Sequence, residues 1–296
     1  MSVASHYDAS AASYADQYDP QRLLTNAEYP ANYFRLELVK RLLTDAGARS
    51  AYEFGVGDAT PLVRIAALGL EVAGNDLSSG MVEHARANMS AHGLDPMTIA
   101  HIDVQDSAAL SKERDRYPAF DAVLALGVIP HVADDEAFVR DLGSFARPGG
   151  RMILQFRNAL FAMYTFNRLT KEFVLDELLA DVESTIRDAV ATDLDRRLAV
   201  DMPPIRRRPD GNGYDEILAR FHNPFELAEV VRRSGFSDIR YHWYNAHPAY
   251  PMLASQIDPE RYRRAAMALE GDIGWRGMFL CSAGIIEAVK HGGASS

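Results

Sequence analysis

The chain has 296 residues, of which 48% are hydrophobic and 24% charged, and a formal net charge of −10 at pH 7. This composition is typical of a globular protein with a full-sized core and argues against a mainly disordered chain. The acidic balance provides no long-range attraction for a polyanion, so we expect no nucleic-acid partner.

Cysteine occurs once, as Cys281, which excludes an intrachain disulfide and a thiolate metal cluster. No run of about 18 apolar residues is present, so we expect no membrane span. The amino terminus lacks the basic start and apolar centre of a secretory signal. We therefore predict a cytoplasmic protein.

Two amphipathic helices are predicted first along the chain. Residues 4–17 place Tyr7, Ala11 and Tyr14 three and four positions apart, which is helical spacing. Residues 31–46 repeat apolar side chains at the same spacing.

Short apolar runs then alternate with helical segments. The predicted strands are residues 51–54, 71–74, 97–102, 120–126 and 150–156, and the predicted helices between them are residues 61–68, 80–92 and 134–146. Repeated strand–helix units are the signature of a parallel sheet covered by helices on both faces.

A long, charged and mostly helical segment interrupts this alternation after residue 156. The alternation resumes with a predicted helix at 223–234 and predicted strands at 238–244 and 277–289. The charge of the interrupting segment favours a cap laid over a site rather than a separate core.

The turn after the first predicted strand, residues 55–59 (GVGDA), carries the strongest chemical signal. Glycine permits a tight turn and lets a ligand lie against bare backbone. Asp76, at the end of the next strand, suits the hydroxyls of a ribose, and Asp103, after the third strand, suits an adenine amino group. The pattern indicates a nucleoside-containing cofactor.

Four segments together resemble successive motifs of class I S-adenosylmethionine-dependent methyltransferases: residues 52–59 (YEFGVGDA), 75–81 (NDLSSGM), 120–123 (FDAV) and 147–151 (RPGGR). The resemblance implies an α/β fold with a Rossmann-like, seven-stranded, mostly parallel sheet whose last strand is antiparallel. It also implies helices on both faces and a helical cap insertion. One departure is Ala59, where the commoner family pattern has glycine.

The resemblance further implies S-adenosylmethionine as the cofactor. The residues assigned to its site are Tyr14, Glu53, Gly55, Gly57, Asp76, Leu77, Met81, Asp103, Val104 and Leu126. The implied organisation is amino-terminal helices covering the cofactor (1–48), a cofactor-binding core (49–156), a helical substrate cap (157–222) and the carboxyl-terminal part of the core (223–290).

His131, after the fourth strand, and His222, at the end of the insertion, are the candidate catalytic residues. A hydroxyl acceptor gains from a general base, whereas a neutral amine needs none. Contact with the cofactor and helix capping remain alternative roles for these histidines. No metal site is predicted.

The aromatic residues of the insertion and of the sixth strand have two interpretations, an acceptor pocket or plain packing. These residues are Phe161, Tyr164, Phe166, Phe173, His242, Tyr244 and His247.

The resemblance implies methyl transfer to an oxygen or nitrogen of a small molecule, such as a natural-product or sugar intermediate. The choice between these acceptor atoms is left open, and so is homodimer formation. One alternative is an inactive, methyltransferase-like protein that binds the cofactor. A nicotinamide-dependent oxidoreductase is a weaker alternative, because Thr60 stands at the third glycine position of its phosphate loop. The acidic balance disfavours a nucleic-acid or protein methyltransferase.

Overall fold

The computed structural model describes residues 15–25, 29–198, 220–271 and 273–292. Tyr14 and most of the first predicted helix lie outside these ranges. The strands are β1 (Ser50–Phe54), β2 (Glu71–Asp76), β3 (Ile99–His101), β4 (Phe120–Ala125), β5 (Ala146–Arg157), β6 (Phe236–Ala246) and β7 (Cys281–Lys290).

These strands form one sheet in the order β3-β2-β1-β4-β5-β7-β6. The pairs β1–β2, β1–β4, β2–β3 and β4–β5 are parallel, and the last strands are antiparallel. The parallel strands are short and almost wholly buried, as expected when helices cover both faces of a sheet. The predicted fold class is confirmed.

Eleven α-helices occur in the described ranges. They are α1 (Ala31–Asp45), α2 (Thr60–Ala66), α3 (Ser79–Ala91), α4 (Ser107–Arg114), α5 (Asp135–Phe145), α6 (Ala162–Thr165), α7 (Arg168–Glu172), α8 (Ser184–Arg197), α9 (Pro224–Arg233), α10 (Pro259–Leu269) and α11 (Gly277–Leu280). A π-helix, Phe173–Leu178, follows α7 directly. In the part of the chain that the structure describes, no helix is long and apolar enough to cross a membrane.

The chain divides into two compact units. The first contains the described parts of Met1–Phe156, Ile217–His242 and Gly284–Ser296, and the second those of Arg157–Glu216 and Trp243–Ala283. The second unit thus includes a stretch that the sequence analysis groups with the carboxyl-terminal part of the core. Likewise, residues 220–222, grouped there with the cap, belong to the first unit.

Two local predictions differ from the structure. Helix α4 was not predicted; it buries only Leu110 and Glu113, so its apolar periodicity is weak. The strand predicted to begin at Gly277 begins at Cys281, after the helical turn α11. At Gly277 a Cβ atom would lie 2.3 Å from Cγ of Trp243, so this turn packs backbone directly on an indole ring.

Candidate functional site

The turn between β1 and α2 is held in a conformation that needs glycine. Gly55 and Gly57 have φ angles of +72° and +56°, in the region that glycine adopts without strain. A Cβ atom at Gly55 would lie 2.5 Å from Cγ2 of Val128. The Gly55 and Val56 N–H groups both donate to the Asn75 carbonyl, at 2.8 and 3.0 Å, which fixes the turn to the end of β2.

Ala59 ends this turn with φ of +59° and ψ of +16°. A residue with a Cβ atom is strained by about 1–2 kcal/mol in this left-handed region. The position where the family pattern has glycine therefore keeps a conformation that glycine would adopt more easily. The alanine therefore adopts the left-handed backbone conformation in spite of its Cβ atom.

Asp76, the last residue of β2, connects the glycine turn to the start of α3. One carboxylate oxygen accepts from the Gly57 N–H at 2.8 Å and the other from the Ser78 N–H at 2.9 Å. Burial raises the pKa of Asp76, and these two bonds oppose that rise. An ionised carboxylate has about four acceptor positions, so each oxygen can accept a further hydrogen bond.

Glu53 is a buried carboxyl group on β1, with 1% of its surface exposed. Its Oε2 atom has no hydrogen-bond partner among the described residues. Burial raises its pKa to about 8, the Arg35 charge lowers it, and Asp76 and Asp58 raise it further. A buried acceptor without a donor is costly and marks a site where a ligand would restore the missing bond.

Arg35 and Tyr18 belong to the same buried group, although the sequence analysis did not assign them. Arg35, on α1, is 6% exposed and its Nη2 donates to the Tyr18 hydroxyl at 3.0 Å. A Cβ atom at Gly127, after β4, would lie 3.7 Å from both Arg35 Nη1 and Gln155 Oε1. A guanidinium and an amide thus both lie beside Gly127, just after β4.

The predicted adenine side of the site lies around the ends of β2 and β3. Asp103 is half-buried, and its Oδ1 accepts from the Gln105 N–H at 2.9 Å. Val104 is also half-buried. The neighbouring ends of the strands are joined because the Asn75 amide donates to the Ile102 carbonyl at 3.0 Å and the Ile102 N–H donates to the Asp76 carbonyl.

The apolar residues predicted for the cofactor differ in exposure. Met81 is buried in the first turn of α3, where its N–H donates to the Ser78 hydroxyl that caps the helix. Leu126 is buried after β4, and Leu77 is 38% exposed. Leu77 can therefore offer surface to a ligand without a rearrangement.

The two candidate catalytic histidines lie on segments that are joined by hydrogen bonds. His131 is half-buried at the end of a short 3₁₀ turn, Ile129–His131, after β4. Arg220 donates from its backbone to the Pro130 carbonyl at 2.9 Å and from its guanidinium to the Val132 carbonyl at 2.7 Å. The segment that leads to His222 is therefore fixed beside the loop that follows His131.

His222 is buried and its Nε2 lies 3.5 Å from Oδ2 of Asp135, at the start of α5. Neither ring nitrogen makes a hydrogen bond of good geometry within the described ranges. Burial favours a higher pKa for Asp135, but the contacts with His222 and Arg220 outweigh it and the pKa lies below its usual range. Asp135 is therefore an ionised carboxylate facing a buried imidazole.

The second unit contains a row of aromatic side chains. Ring centroids are 4.6 Å apart for Phe161 and His247, 6.4 Å for Phe161 and Tyr164, and 5.8 Å for Tyr164 and Tyr250. Phe166 lies 5.2 Å from Tyr250. Of the aromatic residues singled out in the insertion, the structure brings together Phe161, Tyr164 and Phe166.

No three His, Cys, Asp or Glu side chains of the described ranges are grouped to hold a metal ion.

Comparison with known proteins yields a family model described as a methyltransferase domain, which matches residues 52–152. A ubiquinone biosynthesis O-methyltransferase of Xanthomonas axonopodis pv. citri is 30% identical over 168 residues, covering 57% of this chain and 66% of the relative. A protein of the same name from Methylocella silvestris is 36% identical over 119 residues, covering 40% and 42%. The chain spans just under two thirds of the length of the Xanthomonas relative.

Among solved structures, the magnesium protoporphyrin IX methyltransferase of Synechocystis with bound SAH superposes with a TM-score of 0.52. The alignment covers 97% of each chain at 15% sequence identity. At this identity the likeness shows the shared fold.

Proposed function

We propose, from the premise that residues 52–152 form a methyltransferase domain, that this chain transfers a methyl group from S-adenosylmethionine to an oxygen or nitrogen of a small molecule. The observation that carries the proposal is the buried group formed by Glu53, Arg35 and Asp76 beside the glycine turn. Each member matches a different polar part of that cofactor.

The charges of Glu53 and Arg35 fit the amino-acid end of the cofactor. The ammonium group would donate to Glu53 Oε2, the buried oxygen without a partner in the described ranges. The carboxylate would pair with the Arg35 guanidinium, whose planar donors suit a carboxylate. Both side chains are buried, so the ammonium would stabilise the ionised form of Glu53 and the carboxylate would offset the desolvation of the Arg35 charge.

Asp76 fits the ribose, because each of its oxygens keeps a free acceptor position after binding the Gly57 and Ser78 N–H groups. Asp103 and Val104 are proposed for the adenine, with Leu77, Met81 and Leu126 as apolar neighbours. Tyr14 stays a prediction for the cover of the cofactor.

When bound, S-adenosylmethionine supplies a methyl group on a sulfonium sulfur. The acceptor atom would attack the methyl carbon in line with the carbon–sulfur bond, and the sulfur would leave as a neutral thioether. The chain itself must hold the acceptor, exclude water and receive any proton that the acceptor loses. Alignment in a dry site contributes several kcal/mol to lowering the barrier in enzymes of this kind.

His222 is proposed as the proton acceptor for a hydroxyl substrate, with His131 as the second candidate. The support for His222 is its contact with ionised Asp135, because a carboxylate on one ring nitrogen orients an imidazole and stabilises the imidazolium form. Burial of the ring keeps competing water away.

The small-molecule acceptor is supported by the name of the relatives, which describes an O-methyltransferase of ubiquinone biosynthesis. That name favours oxygen over nitrogen as the acceptor atom.

The test is calorimetric titration of the full chain with S-adenosylmethionine and S-adenosylhomocysteine, repeated with Asp76→Asn. We expect wild-type binding in the micromolar range and a loss of about 10- to 100-fold in the variant, because hydrogen bonds to a charged group contribute about 1.5–3 kcal/mol.

Asp121→Asn is the matched control. Asp121 also accepts two backbone N–H bonds, from Arg49 and Ser50, but at the amino end of β4. Its substitution should leave cofactor affinity unchanged. Absence of binding by the wild-type chain would overturn the proposed function.

A further inference from the structure

A cavity of about 160 Å³ is lined by the end of α1 and by the strands β5, β7 and β6. All of its lining residues belong to the first unit. The cavity is smaller than the pockets of about 300–1,000 Å³ that hold drug-sized ligands. It therefore suits a small ligand, or one group of a larger ligand. Its charged and titratable lining residues are Arg41 and Asp45 on α1, Arg151 on β5, Glu287 on β7, and Arg240 and His242 on β6.

This cavity is separate from the proposed cofactor site. Arg151 is in register with Ala122 near the start of β4, and Ala122 pairs with Ala51 near the start of β1. The glycine turn follows the other end of β1, about 10 Å further along the strand. None of the described residues assigned to the cofactor lines the cavity.

Three guanidinium groups converge on the cavity, although the whole chain has a net charge of −10. Arg41 and Arg240 are exposed, and neither side chain makes a hydrogen bond or an ion pair with another described residue. Arg151 is half-buried, and its Nη1 lies 3.8 Å from Oε1 of Glu287, which is beyond hydrogen-bond distance. The donors of all three arginines are therefore available to a ligand.

Two carboxylates also line the cavity and oppose the binding of an anion. The Glu287 carboxylate is buried in the wall, where its Oε2 lies 3.0 Å from Nε2 of His242. This hydrogen bond holds the pKa of Glu287 below its usual range in spite of burial, and the Arg151 and Arg240 charges act in the same direction. The Glu287 charge is therefore balanced within the wall. Asp45 is exposed at the rim, where solvent screens its charge.

The sheet places these groups on one face. Arg240 and His242 are two residues apart on β6, so their side chains point to the same side of the sheet. Strand β7 lies between β5 and β6, which places Glu287 between Arg151 and that pair. Arg41 completes the set from α1, which covers this face.

We propose that this cavity binds a phosphate group, either inorganic phosphate or the phosphate of a small ester. The planar donors of arginine match phosphate oxygens in pairs and stay charged at neutral pH. A carboxylate has two oxygens and would satisfy one guanidinium, whereas a phosphate presents oxygens to all three. The phosphate site does not depend on the proposed function, because it shares no assigned residue with the cofactor site.

The test is calorimetric titration of the full chain with inorganic phosphate and with glycerol 3-phosphate, near neutral pH. Sodium chloride at about 0.15 M is present throughout, because it screens weak attraction to the surface. We expect saturable binding of both probes, with a Kd of about 1 mM or tighter. Tighter binding of glycerol 3-phosphate would identify an ester as the better ligand, and tighter binding of inorganic phosphate the free anion. Either order supports the site.

Arg41→Gln and Arg240→Gln test the arginines without disturbing the fold, because both side chains are exposed. Each variant should lose about fivefold in phosphate affinity, as expected for partly solvated charge pairs, and the double variant should lose more than either. Asp45→Asn should strengthen phosphate binding by about twofold, because it removes a like charge from the rim. The free energy of unfolding of all four variants should stay close to that of the wild type.

Arg140→Gln is the matched control. Arg140, on α5, is an exposed arginine that makes no hydrogen bond or ion pair with another described residue, and it does not line the cavity. Its substitution should leave phosphate affinity unchanged. Absence of saturable binding by the wild type, undiminished affinity in the double variant, or an equal loss in Arg140→Gln would overturn the phosphate site.

Discussion

The two units carry different kinds of side-chain cluster. In the first, Glu53 and Arg35 are buried ionisable side chains, and the Asp76 carboxylate is fixed by two backbone N–H groups. In the second, aromatic rings on short helices and turns pack against one another, as Phe166 and Tyr250 do at 5.2 Å. Ionisable groups near strand ends define the first cluster, and packed rings define the second.

This difference matters for the proposed cofactor. A ligand with fixed charges needs fixed partners, and a parallel sheet places these at the carboxyl ends of its strands. Residues on turns between short helices can change without disturbing the sheet. We therefore expect substitutions in the first cluster, and not in the second, to change cofactor affinity.

The largest expected effect separates the methyl-transfer step from cofactor binding. His222→Asn should lower the rate of methyl transfer to a hydroxyl acceptor by about 100-fold or more, because a positioned general base contributes about 10²–10⁴. Cofactor affinity should stay within twofold of the wild type. The measurement is the initial rate under saturating cofactor, with calorimetry for the cofactor.

His242→Asn is the control for that rate loss, because His242 also contacts a carboxylate, Glu287, at 3.0 Å, away from the proposed base. Its variant should keep the wild-type rate. An undiminished rate in His222→Asn would assign the proton to another group, with His131 the next to test.

A second prediction concerns the pH dependence of cofactor binding. The pKa of Glu53 is raised to about 8, so the free protein carries a proton there at pH 7. The ammonium of the cofactor favours the ionised carboxylate, so binding must release that proton. Affinity for S-adenosylhomocysteine should fall as pH decreases from 8 to 6, by at most tenfold per unit.

Calorimetry in buffers of different ionisation enthalpy measures the released proton directly. Glu53→Gln should remove both the proton release and the pH dependence. The same raised pKa means that Glu53 weakens folding as pH rises from about 4.5 to 8, because the unfolded chain ionises first. The glutamine variant should therefore be more stable than the wild type at pH 8.

The smallest expected effect concerns Ala59, the strained residue of the cofactor turn. Ala59→Gly should change the free energy of unfolding by no more than about 1 kcal/mol, because relief of strain offsets the greater freedom of glycine in the unfolded chain. Ala59→Val should lose about 2 kcal/mol or more through strain and crowding at a buried position. Urea denaturation measures both, and a large loss in Ala59→Gly would contradict the account.

The sheet and the glycine turn were predictable because each depends on a local pattern. Short apolar runs followed by helical spacing predicted the five strands of the parallel part, and the glycines of residues 55–59 predicted the tight turn after β1. Helix α4 was missed because it buries little; its signal was the cap at Asp106, whose carboxylate accepts from the Ala108 and Ala109 N–H groups. Helix α10 was also not predicted, and a similar cap, Asp258 before Pro259, was its signal in the sequence.

Arg35 is a buried charged residue that the spacing of apolar side chains did not reveal. It lies four and seven positions before Val39 and Leu42 on the buried face of α1, so it occupies a core position with a charged side chain. A charge at such a position is a signal of a buried partner. Its hydrogen-bond partner is the Tyr18 hydroxyl, and its charge also lowers the pKa of Glu53 on β1, an effect that depends on the fold.

The most direct test of the central claim compares S-adenosylhomocysteine with 5′-methylthioadenosine, which lacks the amino-acid end. The account predicts that the wild-type chain prefers S-adenosylhomocysteine by about 100-fold or more, and that Arg35→Gln and Glu53→Gln each reduce this preference while 5′-methylthioadenosine still binds. An equal affinity for the two compounds in the wild type, or an unchanged preference in both variants, would contradict it.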